Sequence, residues 1–114
     1  MAKYEKQLTG DFDEFLDHLE QRIIQGSASA SFEDGSDWEM GQVRIAVRVY
    51  ERYSMMGGNR VSLSVTLAGE GDRLFLSAIA SGGSQAMFFK VNTLGEENFL
   101  DQLIEAVESH LTGA

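Results

Sequence analysis

The chain has 114 residues, a formal net charge of -9, and neither cysteine nor proline. That length suits one domain spanning residues 1–114, able to bury roughly 65% of its unfolded surface without staples. The missing thiols exclude disulfides and thiolate metal sites, and two histidines, His18 and His110, leave little for zinc, so no metal or other cofactor is expected.

A negative field of that size repels phosphate, which argues against nucleic acid and anionic membrane as partners. No run of about 18 apolar residues is present, and the N-terminus has no charged-then-apolar signal pattern. The expected location is the cytoplasm.

Residues 2–8 alternate weakly, with Ala2, Tyr4 and Leu8 in phase, and predict a short first strand. Asp11 stands three residues before Glu14, an N-cap pattern at a helix start. Phe12, Phe15, Leu16, Leu19 and Ile23 then form one helical stripe, closed by Gly26 as an expected left-handed C-cap. His18 lies off that stripe between Glu14 and Arg22, as in a solvated ion ladder.

Residues 27–33 alternate with small side chains and predict a second strand, and Asp34-Gly35-Ser36-Asp37 reads as a turn. Gly41 suggests a bulge before the next strand, about 42–53. There Val43, Ile45, Val47 and Val49 share one face, and Arg44, Ala46, Arg48, Tyr50 and Arg52 the other.

Val61, Leu63, Val65 and Leu67 repeat the pattern, with Arg60, Ser62, Ser64 and Thr66 opposite. A turn at Glu70-Gly71 would set Leu67 against Leu74 and Val65 against Leu76. For the preceding hairpin, matching apolar faces favours Tyr50 opposite Arg60 over Arg52 opposite Arg60, where like charges would meet. Met87, Phe89 and Val91 alternate and suggest one more strand. Thr93-Leu94-Gly95-Glu96 is a capping box for a last helix carrying Phe99, Leu100, Leu103, Ile104, Val107 and Leu111, with His110 in its final turn near the favourable dipole end.

The order strand, helix, meander, helix predicts an α+β two-layer sandwich: a mostly antiparallel sheet of five or six strands with both helices on its apolar face. The other face would be open. On it the expected binding candidates are Arg44, Arg48, Tyr50, Arg60, Ser62, Ser64 and Phe75, with Ser84 and Gln85 at the rim after the glycines at 82–83. Aromatic, hydroxyl and arginine side chains mixed on one face mark interaction surfaces.

Self-association into a homo-oligomer, an acidic protein, or a small anionic ligand would suit such a face. The expected function is therefore a non-enzymatic binding or interaction module. The alternative is a small-molecule binder of helix-grip type, its cavity between the C-terminal helix and the sheet beneath Ala28 and Ala30. The segment at 81–85 lacks the Gly-Lys-Ser/Thr ending of a phosphate loop, and Ser84 has no histidine base assigned to it, so an enzyme has no support.

The runs Val47-Arg48-Val49-Tyr50-Glu51-Arg52-Tyr53, Gly57-Gly58-Asn59-Arg60-Val61-Ser62-Leu63 and Ser81-Gly82-Gly83-Ser84-Gln85-Ala86-Met87-Phe88-Phe89-Lys90 resemble a small bacterial family catalogued as a domain of unknown function. The resemblance spans roughly residues 2 to 110. It implies a stand-alone bacterial cytoplasmic protein and transfers no catalytic residue. The element order is also similar to TBP-like and helix-grip folds, which host unrelated functions.

Overall fold

The structure, a computed structural model, describes residues 2–26, 30–53, 60–82 and 89–111, with side chains of the last helix from Phe99 onward. Its elements are β1 (Ala2–Thr9), α1 (Phe12–Gln25), β2 (Ser31–Met40), β3 (Val43–Tyr53), β4 (Arg60–Glu70), β5 (Arg73–Gly82) and α2 (Phe89–Leu111). The strands form one antiparallel sheet in the order β1-β5-β4-β3-β2, and both helices cover one face of it. This is the α+β two-layer architecture expected from the sequence.

α1 starts where its cap dictates. The Asp11 carboxylate accepts a hydrogen bond from the Glu14 backbone N–H at 3.0 Å. The stripe Phe12, Phe15, Leu16, Leu19 and Ile23 is buried against Val61, Leu63, Val65 and Leu67 of β4, Leu74, Leu76, Ala78 and Ala80 of β5, and Phe99, Leu103, Ala106 and Val107 of α2. Gly26 caps α1 in the right-handed region (φ -79°), not the left-handed one expected. Glycine is needed there for close approach, because a Cβ would meet the Gln102 amide and, at 2.7 Å, the Arg22 carbonyl.

β2 departs most from expectation. Its polar run Asp34-Gly35-Ser36-Asp37 is strand, not turn, and residues 27–29 lie outside the described residues. An edge strand keeps its side chains solvated while its backbone pairs inward, so polar composition does not break it. Every residue of β2 is exposed. The register slips once between Phe32 and Asp34, which makes Glu33 the bulged residue. Gly41 is no bulge. It is the first residue of the two-residue turn to β3, with φ 60°, the geometry of a type II′ turn.

The β4–β5 turn works the same way, with Gly71 at φ 61°. Gly71 and Asp72 are therefore the loop residues, so Leu67 pairs with Leu76 and Val65 with Ala78, two positions from the expected register. The buried faces are unchanged by that slip.

The β3–β4 pairing changes the map of the surface. Tyr53 pairs with Arg60, Arg52 with Val61 and Tyr50 with Leu63. The paired numbers sum to an odd value, so the even residues of β3 share a face with the apolar odd residues of β4. Arg44, Ala46, Arg48, Tyr50 and Arg52 thus lie on the helix-covered side. Val43, Ile45, Val47 and Val49 lie on the open side.

No strand is formed by residues 89–91, which are the first turn of α2, and Thr93 sits inside that helix. Three alternating residues cannot separate a period of 2 from one of 3.6. Among the described residues no helix is long and apolar enough to cross a membrane.

Candidate functional site

On the inner face the β3 arginines pin the helices to the sheet. Arg44 forms a bidentate pair with Asp13 of α1 at 2.9 and 3.0 Å, and its guanidinium lies over the Phe12 ring, 4.3 Å from the centroid. The Arg44 hydrogen bond holds the Asp13 carboxyl below the ordinary carboxylate range. Arg48 donates from Nε to Glu20 of α1 at 2.8 Å and from Nη2 to Asp37 of β2 at 2.9 Å. Burial lowers the Arg48 pKa, but the hydrogen bonds with Asp37 and Glu20 outweigh it and leave it raised.

Arg52 reaches α2 instead. It donates to the Gln102 side-chain oxygen at 3.2 Å and lies over Phe99 at 4.7 Å, and burial pulls its pKa down. The Gln102 amide nitrogen in turn donates to the Ile23 and Arg22 carbonyls at the end of α1. The end of α1, the middle of α2 and β3 therefore meet at one side chain.

His18 is likewise structural, at the seam between helices and not in a solvated ladder. Its Nε2 lies 2.8 Å from the Ala106 carbonyl of α2. A carbonyl only accepts, so Nε2 carries the hydrogen. The His110 ring packs at 5.2 Å from His18 and edge-on to Phe15 at 4.9 Å.

The open face is apolar at its centre. Val43, Ile45, Val47 and Val49 form a half-buried ladder, with Trp38 and Met40 of β2 on one side and Phe75 and Ile79 of β5 beyond β4 on the other. Ser62, Ser64 and Thr66 run between the two apolar tracks on β4. One cross-strand row carries the greatest relief: Trp38, Ile45, Ala68, Phe75 and Gln7 are successive partners from β2 to β1. Trp38 is 62% exposed. Around Ala68, at the other side of the row, lies a depression of ≈ 540 Å³ walled by Val43 and Phe75 and rimmed by Gln7 and Thr9.

A second concavity, of ≈ 320 Å³, lies on the helix side between α1 and β2–β3. Glu20, Ile24, Phe32, Asp37, Arg48 and Tyr50 line it, with Gly35 in its wall. Tyr50 is 2% exposed and its ring meets Phe32 edge-on at 6.0 Å. Among the described residues no group within hydrogen-bond distance engages its hydroxyl. Burial first, then the Glu20 charge, push the phenol up from its ordinary 10.0, against a smaller opposing effect of Arg48.

A consequence follows at high pH. Between pH 10 and the raised folded value the native state keeps the Tyr50 proton that the unfolded chain releases. Stability therefore falls as pH rises above 10. Urea unfolding at pH 9, 10 and 11 is expected to show a steeper decline for wild type than for Tyr50→Phe; equal slopes would place the phenol in solvent.

The expected site residues thus divide. Arg60, Ser62, Ser64 and Phe75 are on the open face. Arg60 pairs there with Glu51 and, at 3.9 Å, with Glu33, and its guanidinium lies 5.6 Å from the ring of Tyr53 in place of Tyr50. Arg44, Arg48 and Tyr50 face the helices, and Ser84 and Gln85 lie outside the described residues, as does Ala28.

The ladder Val43, Ile45, Val47 and Val49 reads as core in the sequence because apolar alternation marks a buried face. A usable signal existed. Asp13 and Glu20 are two helical turns apart, roughly 10.5 Å, close to the roughly 13 Å between Arg44 and Arg48 on a strand. Matching acid and arginine spacings identify β3's even face as the one against α1.

A family model described as a family of unknown function matches residues 1–111. No curated protein and no solved structure matches the chain.

Proposed function

The chain belongs to DUF6054, a family of unknown function, and from its geometry we propose that it is an interaction module that self-associates through the open sheet face into a two-fold dimer. The observation that carries this is the uncovered ladder Val43, Ile45, Val47 and Val49 with Trp38, Met40, Phe75 and Ile79 beside it. Five strands at ~4.8 Å spacing and ~30 Å of strand length give a face of about 700 Å². That approaches the ~800 Å² per partner of a standard interface.

The relief is self-complementary. A two-fold axis parallel to the strands and passing over β4 lays each protomer's β2 edge on its partner's β1 edge, at the same end of the sheet. Trp38 of one copy then lies over Gln7 of the other, at the rim of that depression, twice, while Ala68 faces Ala68 across the axis. Sheets packed this way lie about 10 Å apart, which side chains of this size fill. An acidic partner loses its basis, because Arg44 and Arg48 are turned inward and Arg60 is paired. With no cysteine to require an oxidising compartment, the reading places the dimer in the cytoplasm.

Sedimentation equilibrium tests it. Wild type is expected to dimerise, Val47→Asp to be monomeric, and Trp38→Ala to dimerise roughly thirty-fold more weakly, as for the loss of two edge tryptophans worth about 1 kcal/mol each. Trp38 lies on an exposed edge strand, so its loss leaves folding intact. Each protomer carries -9, so added salt screens repulsion and strengthens the dimer. Trp38 is the only tryptophan, and its emission is expected to shift blue with concentration. A monomer at every concentration, or unchanged mass in Val47→Asp, overturns the proposal.

A further inference from the structure

We propose that the cleft between α1 and β2–β3 is a binding site for a small organic cation, a primary ammonium on a short apolar arm. This is independent of self-association, because the cleft opens on the helix side of the sheet. Three observations converge on it.

The first is the Tyr50 hydroxyl. It is a polar group on a side chain 2% exposed, lining the cleft and without a hydrogen bond among the described residues. Leaving such a group unsatisfied costs stability, and a ligand atom that engages it recovers that cost. Burial and the Glu20 charge keep it protonated, so it offers both a donor and lone pairs.

The second is Gly35. Glycine weakens a strand interior and often marks a place where something approaches closely. A Cβ at this position would come within 3.1 Å of the Arg48 Cδ and 3.2 Å of the Phe32 ring. Any side chain there would narrow the cleft; glycine keeps it open.

The third is charge. The cleft holds two carboxylates, Glu20 and Asp37, and one guanidinium, which both carboxylates already engage. An anion would have to displace a carboxylate from Arg48. An ammonium instead finds free carboxylate lone pairs, the Tyr50 oxygen, and the exposed ring of Phe32. Ile24 and Phe32, both partly exposed at the mouth, suit the apolar arm. A volume of ≈ 320 Å³ lies at the small end of ligand sites, and the net charge of -9 draws cations toward it.

The test is binding of 2-phenylethylammonium to the full chain, followed by calorimetry and by amide chemical shifts. 2-Phenylethanol and 3-phenylpropionate serve as the neutral and anionic comparisons. The ammonium is expected to bind and shift residues of α1 and β2, with both comparisons at least tenfold weaker. Tyr50→Phe keeps the ring, drops the unsatisfied hydroxyl and therefore folds; it is expected to lose about tenfold in affinity. Gly35→Val is expected to abolish binding, and Val47→Asp to leave it unchanged, which separates this site from the dimer face. Absence of ammonium binding, equal binding of the carboxylate, or an unaltered Tyr50→Phe overturns the proposal.

Discussion

Replacing Phe99 by alanine is expected to cost about 3–5 kcal/mol of stability. The ring is fully buried, and it sits where α2 meets β3 and α1. Truncation leaves a cavity among Leu103, Val107 and the β4 and β5 side chains of the same core. It also removes the ring face on which the Arg52 guanidinium rests. Since a domain this size is stable by about 5–15 kcal/mol, Phe99→Ala approaches the limit of folding.

Urea unfolding gives the number, and Phe99→Leu, which conserves most of the volume, is expected to cost under about 1.5 kcal/mol. A double-mutant cycle with Arg52→Met isolates the cation–π contact, expected at about 0.5–2 kcal/mol. A cycle that closes at zero would return Arg52 to solvent and with it the odd β3–β4 register.

Gly69→Ala is the second large effect, and its sign is the informative part. Gly69 is in β4, opposite Arg44 and Leu74, where a residue with a side chain ordinarily improves a strand by about 0.5–1 kcal/mol over glycine. Here the added Cβ would come within 2.7 Å of Phe12 and 2.9 Å of Leu74, both buried. Overpacking of this kind costs about 1–3 kcal/mol. The displaced Phe12 also carries Arg44 above it, so the start of α1 is expected to lift from the sheet. Thermal and urea melts of Gly69→Ala against wild type decide it, and Phe12→Leu in the same background is expected to recover part of the loss. A stabilised Gly69→Ala would mean that Phe12 does not rest on that backbone.

Local chemistry made several elements legible without coordinates. Asp11 and Glu14 announce the start of α1 because an unpaired helix N–H needs an acceptor within three residues. The apolar stripe of α1, the odd residues of β4 and the even residues of β5 lie in the core as their periods require. Element order led to the two-layer architecture. The turns were harder to place. Moving a two-residue loop by one position keeps both faces matched, and only the left-handed conformation of Gly71 at the first loop position selects the observed register.

By itself, then, the sequence determined the start of α1, the helical body of α2 though not its first turn, which face of β4 and β5 is buried, and that among the described residues one sheet face has no helix over it. It could not determine which face of β3 that is. The strand offers valine and isoleucine on one side and arginine on the other, and a rule that sends apolar residues inward chooses the former. Tertiary structure decided otherwise. α1 presents Asp13 and Glu20 at the spacing of Arg44 and Arg48, α2 presents Gln102 and Phe99 to Arg52, and Tyr50 fills the space between. Arginine stems cover apolar surface while their charged ends meet partners that only the packed helices bring within reach, and the valine ladder is left for whatever covers the sheet.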